Sequence, residues 1–295
     1  MMRVAIIGSG NVGTDLLYKI QRTKDLKCTL FAGQNPDSVG LQKAKELGVT
    51  VSSHSIDAII EHKDNIDIIC DATSALAHIQ NQPVFTGLKK HIIDLTPSRI
   101  GAFCIPVLNR KKCMELNEIN MVTCGGQATI PIAYAISQLY RNTNKIHYME
   151  IVACIASNSA GVGTRKNIDE FTQTTKDALT QFTGVSNTKA IIILNPAVPE
   201  INMRNTLYCY IEDPDMEMIQ NSVNSMVQKI QKYVPGYHLL VEPVLENGRV
   251  TTTVEVCGAA DYLPSYAGNL DIITCAALEM AKEYAKQQKA GDSYE

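Results

Sequence analysis

Cys124 is the residue with the most chemistry to offer. It stands in Val-Thr-Cys-Gly-Gly-Gln-Ala-Thr-Ile-Pro, where a strand predicted over 119–123 runs into a helix predicted from near Gln127. A thiol placed there faces the positive end of a helix dipole and unpaired N–H groups, and both favour the nucleophilic thiolate. Gly125 and Gly126 leave room for a substrate to reach the sulfur, and the same N–H groups suit an oxyanion. Gln127, in the first helical turn, is the candidate contact for a substrate carbonyl. The competing reading is a structural thiol buried beside a glycine turn.

The chain holds nine cysteines, at 28, 70, 104, 113, 124, 154, 209, 257 and 275, with no CxxC pair. That scatter argues against a disulfide framework and against zinc, so no metal site is expected. Most of them read as packing residues, as Cys70 does after Ile68 and Ile69. The compartment expected is a reducing cytoplasm.

A second group capable of chemistry is Gly8, Gly10 and Gly13, a GxGxxG pattern with Ser9, Asn11 and Val12 between the glycines. It follows a short strand over 3–7 and opens a helix that continues through 14–21. The first glycine permits the tight turn, the second lets backbone approach a pyrophosphate, and the third lets helix and strand pack closely. Free N–H groups at the helix start would meet the phosphates. The alternative is a tight turn without a ligand. The second strand of such a unit usually ends on an acid that grips a ribose. Here Asn35 stands in that region; it can bond a hydroxyl but lacks the charge that repels a 2′-phosphate. NAD is expected, with NADP less firmly excluded.

The elements that must position these residues alternate. A strand over 26–32, a helix over 39–47, a strand over 66–71, a helix over 82–88 and a strand over 91–95 imply a parallel, doubly wound, Rossmann-type sheet. Right-handed crossovers put both the glycine turn and the turn after Asp71, which holds Thr73, at the carboxyl ends of the strands, where a ligand belongs. Beyond Cys124 the pattern changes: helices over 130–140, 167–182 and 215–233, and strands over 146–155, 189–194, 207–211 and 250–256. These read as an antiparallel sheet with helices on one face, an α+β domain. A last helix over 270–288 is long enough to return to the first domain. The expected division is a dinucleotide-binding domain over 1–125, an α+β domain over 126–268 and the returning helix over 269–295.

At 295 residues the chain exceeds one comfortable core, and 45% apolar with 19% charged residues at a net charge of −3 reads as globular. No nucleic-acid or membrane-surface partner is indicated. Apolar runs such as 190–194 fall far short of the ~20 residues needed to cross a bilayer. The apolar stretch before Gly8 is too short for a secretory leader and reads as the first strand.

Taken together, GSGNVGTDL, DATSALAH, IDLTP, NMVTCGGQATIP, EIVACIASNSAGVGTRKNIDEFTQTT, KAIIILNPAVP, YVPGY and YLPSYAGNLDI resemble, in order along nearly the whole chain, the acetylating acetaldehyde dehydrogenase family. Its members are partners of 4-hydroxy-2-oxovalerate aldolase in the meta-cleavage pathways of aromatic hydrocarbon catabolism. The resemblance implies a thioester on Cys124, coenzyme A as cosubstrate, and a second domain that is both catalytic and dimerising. It also implies that Ser9 to Val12, the stretch Ser159, Ala160, Gly161, Val162, Gly163, Thr164, Arg165, Lys166 and Asn167, and Asn269 line the NAD site. By residue type, that stretch is a small-residue loop able to wrap a nicotinamide ribose, with Arg165 and Lys166 as its cations; a plain surface loop is the alternative. By analogy, the partnership implies a homodimer joined to aldolase subunits, with Asn167 and Ile168 near the mouth of an intermediate-transfer channel.

Two positions depart from the family. Asn35 replaces an Asp. Asn205 replaces a second Asp that the family places after Met-Arg and uses to assist proton transfer at the cysteine. An amide accepts no proton at neutral pH, so Asn205 can orient water or substrate but cannot act as base. His147, alone on a predicted strand, could compensate; the competing and commoner reading of such a residue is a satisfied structural histidine. The reaction implied is attack of Cys124 on an aldehyde, hydride transfer to NAD and release of the acyl group to coenzyme A. Two further readings compete: a phosphorylating semialdehyde dehydrogenase, which would need an anion site, and a Rossmann-fold assembly subunit without turnover.

Overall fold

The computed structural model describes residues 1–292, the side chains of 162 and 290–292 lying outside that description. The chain divides into two compact units, residues 1–121 with the helix from Ile273, and residues 122–272.

In the first unit, β1 (Met2–Ile7), α1 (Asn11–Gln21), β2 (Leu26–Ala32), α2 (Val39–Glu46), β3 (Val51–Ser52), α3 (Ile56–Glu61), β4 (Ile68–Asp71), α4 (Ala75–Leu88), β5 (His91–Asp94), β6 (Ala102–Phe103), α5 (Pro106–Cys113) and β7 (Glu118–Asn120) follow one another. Their seven strands form a sheet in the order β3-β2-β1-β4-β5-β7-β6, and every pairing in it is parallel. This is the Rossmann-type layout expected of the alternating pattern. The strands are short apolar runs covered on both faces, and Ala5, Ile7, Leu30, Ala32, Ile59, Ile69 and Phe85 form one buried cluster. The chain direction reverses its order at β1 and β4, so the glycine turn after β1 and the Thr73 turn after β4 lie side by side: a Cβ on Gly8 would sit 2.4 Å from the Ala72 carbonyl.

The second unit contains α6 (Cys124–Leu139), β8 (Ile146–Ala156), α7 (Val162–Lys166), α8 (Ile168–Thr183), β9 (Thr188–Asn195), β10 (Met203–Ile211), α9 (Met216–Gln231), β11 (Tyr237–Glu246) and β12 (Arg249–Val256). Its sheet has the order β11-β12-β10-β8-β9. The antiparallel expectation is corrected here, because β8 and β9 pair in parallel. α8 is the crossover between them, and a helical crossover returns the chain in the same direction. Helices α6, α8 and α9 pack on one face. The other face stays open, and β10 alternates accordingly, with Met203, Asn205, Leu207 and Cys209 buried and Arg204, Thr206, Tyr208 and Tyr210 outward.

α10 (Gly268–Asp292) begins in the second unit and from Ile273 onward belongs to the first. There Thr274 donates to Asp15 at 2.5 Å, the Tyr284 ring stacks on His91, and Lys289 pairs with Asp25 at 2.6 Å. Among the described residues, no helix is long and apolar enough to cross a membrane.

Candidate active site

Cys124 is the first residue of α6, three residues earlier than the predicted helix start. Thr123 is the N-cap: its Oγ1 accepts from the Gly126 N–H at 2.9 Å, and its carbonyl accepts from Gln127 at 2.8 Å. The Thr175 hydroxyl is committed to the Phe171 carbonyl at 2.7 Å, so at the 2.7 Å contact between the two threonines it is Thr123 that donates. Val122, one residue before the cap, has φ +60°. A β-branched residue is strained in that left-handed region, at a cost of about 1–3 kcal/mol, and such strain persists where the surroundings over-determine a turn.

This geometry bears on three expectations about the thiol. Burial pushes Cys124 up to about 12, and the N–H groups of Gly125 and Cys124 offset only part of that rise. The N–H groups at the helix start thus favour thiolate, and desolvation of the sulfur works against them. Second, the two glycines do not open a path for substrate. A Cβ on Gly125 would meet Phe171 at 3.0 Å and Ala153 at 3.1 Å, and one on Gly126 would meet Val122 at 2.7 Å. They let α6 pack closely. Third, with the Gly126 and Gln127 N–H groups spent on the cap, the donors left for an oxyanion are those of Cys124 and Gly125.

Asn205, on the packed face of β10, is brought to the same turn. Its amide donates to the Gly125 carbonyl at 3.3 Å and to Thr129 Oγ1 at 2.9 Å, and its Oδ1 is buried without a partner. Gln127 is wholly buried in the first turn of α6. His147 lies elsewhere, exposed on β8 and 3.6 Å from Glu212, so it does not compensate for the missing acid.

In the stretch after β8, Ser159 is buried and donates to Ala156 at 2.8 Å. Arg165 is turned back onto its own loop, with contacts to the Ala160 carbonyl at 3.2 Å and to the Ser157 carbonyl and hydroxyl at 2.8 and 2.9 Å. It holds the loop's shape, whereas Lys166 stays exposed. Gly161 precedes α7, and Gly163 and Thr164 lie within it; the side chain of Val162 is outside the described residues. The Asn167 amide donates to the Gly163 carbonyl where α7 passes into α8, and Ile168 beside it is half-buried. Asn269, in the first turn of α10, has a buried Oδ1 without a partner.

In the first unit, Gly10 is the N-cap of α1 and offers no side chain to Asn11, Val12 and Gly13. A Cβ on Gly13 would overlap the Gly8 carbonyl at 1.9 Å, whereas one on Gly10 would meet nothing within 4 Å. Ser38, the N-cap of α2, donates to Ser9 at 2.9 Å. Asn35 is exposed, and its Oδ1 accepts from the Asp37 N–H at 3.0 Å. Thr73 is fixed by its N–H and hydroxyl on Asp71 Oδ1, at 2.9 and 2.5 Å.

Beneath that turn lies a group the sequence did not reveal. His78 of α4 is fully buried, with Nδ1 2.8 Å from Asp71 and Nε2 3.0 Å from Glu118, and Asp94 stands 3.5 Å away. Burial opposes the imidazolium, but the bonds to Asp71 and Glu118 outweigh it and hold His78 up at about 10. The signal available was the i, i+7 pair of Asp71 and His78 inside DATSALAH.

A Rossmann-type unit joined to a sheet unit that presents a cysteine at a helix start defines the class: a two-unit α/β dehydrogenase. The chain belongs to the acetaldehyde dehydrogenase family. It is 50% identical over 283 residues to an acetaldehyde dehydrogenase of Pectobacterium atrosepticum, covering 95% of each chain. It is 47% identical over 294 residues to that of Geobacillus stearothermophilus, covering 99% of each, and 47% identical over 285 residues to that of Spirochaeta aurantia, covering 97% of this chain and 95% of the relative. Residues 124–264 match the family model described as prokaryotic acetaldehyde dehydrogenase, dimerisation. Among solved structures, an aspartate semialdehyde dehydrogenase II of Vibrio cholerae shares the fold, with a TM-score of 0.62 at 12% identity over 96% of this chain and 99% of that one.

Proposed function

We propose that the protein is an NAD-dependent, CoA-acylating acetaldehyde dehydrogenase that works through a thioester on Cys124. The observation that carries the reading is the thiol at the first position of α6, with the N–H groups of Cys124 and Gly125 directed at it and strained Val122 before it. As the sulfur bonds the aldehyde carbon, the S–H bond breaks and its proton passes by way of solvent to the carbonyl oxygen, which the two N–H groups hold. That carbon would become acyl by losing its hydride to a bound dinucleotide and the oxygen's proton to solvent. Asn205 holds the turn through Gly125 and orients substrate or water with its unpartnered oxygen; being an amide, it takes no proton. Gln127 belongs to the same turn as a carbonyl contact. The thiol of coenzyme A then displaces Cys124 from the acyl carbon, which regenerates the enzyme sulfur.

The residues present suit a nicotinamide dinucleotide, which when bound supplies the hydride acceptor. The open space at Gly10 and the N–H groups of Asn11, Val12 and Gly13 suit a pyrophosphate. Gly8, Ser9 and Thr73 shape that turn, and the orphaned oxygen of Asn269 suits a carboxamide N–H donor. In the second unit, Ser159 to Asn167 is the small-residue loop that the family reading gives to the cofactor. Asn35 carries no charge, and NAD is preferred on the family reading.

Coenzyme A is favoured over phosphate on the family reading, and the side chains packed on the turn at Gly125, those of Phe171, Ala153 and Asn205, include no cation that would fix a phosphate. A second copy of the chain is the natural cover for the open sheet face, where Ile193, Tyr210, Val241 and Val244 are exposed. An aldolase partner delivering acetaldehyde would meet the chain near Asn167 and Ile168. The nine free thiols suit a reducing cytoplasm.

The test is a steady-state assay with NAD, acetaldehyde and either coenzyme A or phosphate. Turnover should require coenzyme A. Cys124→Ser should abolish it while leaving dinucleotide affinity within a few-fold, because an alcohol replaces the nucleophile outside the dinucleotide turn. A variant that retained most of its activity would remove Cys124 from the mechanism.

A further inference from the structure

Three electron-pair donors converge on the open face of the second unit's sheet. β11 and β12 pair His238 with Glu255, and Cys257 lies two residues further along. His238 Nε2 stands 3.2 Å from Glu255 Oε2, and Cys257 Sγ stands 3.9 Å from the same oxygen. All three ligand atoms lie within 4.8 Å of one another. Around a tetrahedral zinc ion, with bonds of about 2.0–2.3 Å, neighbouring donor atoms are about 3.3–3.8 Å apart. The cluster needs only a small contraction to reach that geometry.

The outer contacts favour a cation in the middle. His238 Nδ1 lies 3.3 Å from the Gly236 carbonyl, which can only accept, so Nδ1 carries a hydrogen and Nε2 is the atom presented to the carboxylate. A backbone carbonyl on the far nitrogen is also the usual outer partner of a metal-bound histidine. Arg204 engages the opposite oxygen of Glu255, Oε1, at 2.8 Å and leaves Oε2 to the cluster. Asn202 reaches Sγ at 3.1 Å and Oε2 at 3.3 Å, so a neutral amide is the donor offered there.

We propose that His238, Glu255 and Cys257 form a binding site for a borderline-soft divalent cation of the zinc type, with water completing four ligands. On binding, the Cys257 S–H bond breaks, its proton passes to solvent and a sulfur–metal bond forms, with no change of oxidation state. The ion ties the start of β11 to the end of β12. The Gly236 carbonyl that receives His238 also accepts the Cys257 N–H at 2.9 Å, so the staple lies where the chain enters the 258–267 segment. The sequence hides the site because its ligands meet across paired strands and share no short spacing.

Cobalt(II) titration of the full-length protein tests this, since thiolate ligation gives a charge-transfer band and tetrahedral geometry gives intense visible bands. One equivalent should bind, be displaced by zinc and persist in Cys124→Ser and in Cys154→Ser, which remove the two other part-exposed thiols among the described residues. His238→Gln and Cys257→Ser should each weaken it by at least about tenfold, while their metal-free melting temperatures report that both variants fold. Absence of the thiolate band with cobalt in excess would leave only a histidinium–carboxylate pair and overturn the proposal. So would a band that survives Cys257→Ser.

Discussion

At the residue scale, half-buried Cys124 and the buried amide of Asn205 belong to one turn, and Asn205 is where the chain can be probed. The 1% exposure of Asn205 and its donation to the Gly125 carbonyl mean that a carboxyl group there would face an acceptor in a dry site. In Asn205→Asp the protonated acid can still donate to Gly125, whereas the carboxylate cannot. Its folded pKa should therefore rise above the unfolded value of about 3.9. A raised acid contributes stability that is full below the unfolded pKa and is lost as pH rises through the folded one. The variant should melt close to the parent at about pH 3.5, below the unfolded pKa, and be less stable by about 1–3 kcal/mol at pH 8. Equal differences at both pH values would show that the site is wet. The helix start at Cys124 was legible from its motif, because the two glycines after the cysteine mark a turn into a helix. Val122 and the Thr123–Thr175 contact were not legible: nothing local marks a valine for positive φ, and Thr175 lies 52 residues away.

At the element scale, the glycines of the first turn separate folding from binding. Gly8 and Gly13 are demanded by the protein's own backbone, which would lie 2.4 and 1.9 Å from any Cβ added there, while nothing inside the protein demands Gly10. Gly13→Val should therefore destabilise the first unit by more than about 3 kcal/mol, since backbone cannot yield as a flexible side chain does. Gly10→Val should leave the melting temperature nearly unchanged yet abolish dinucleotide binding in a fluorescence titration. Loss of stability in Gly10→Val, or retained binding, would contradict the placement. The βαβ alternation was legible because buried parallel strands are short apolar runs. β11 was missed because it is an edge strand carrying Glu242, Pro243 and Glu246, the residues that blunt an edge. The helix predicted over 82–88 begins at Ala75 instead, capped by Ser74, because Pro83 stands inside it and not at its start.

At the scale of the whole molecule, periodicity along the chain revealed two layers of different character but not the direction of β9, which depends on a pairing between strands separated by a helix. Nor did it show what ties the carboxyl ends of β4 and β5 to the start of β7. There, one imidazolium is shared by Asp71, Asp94 and Glu118, with Asp94 itself pushed up to about 7 by burial, an effect the charge of His78 opposes. Because the folded pKa of His78 is raised, its stabilisation is fully present below about 6.5 and is lost as pH climbs through about 10. His78→Gln removes the cation and leaves buried carboxylates facing one another, which should cost about 3–5 kcal/mol near pH 6.5. At pH 10 the parent has itself surrendered much of that charge, so the gap between parent and variant should narrow. Thermal melts of both proteins at pH 6.5 and 10 measure the gap directly. A gap of equal size at both values would mean that His78 acts by packing alone, and that the turn bearing Thr73 is held without its charge.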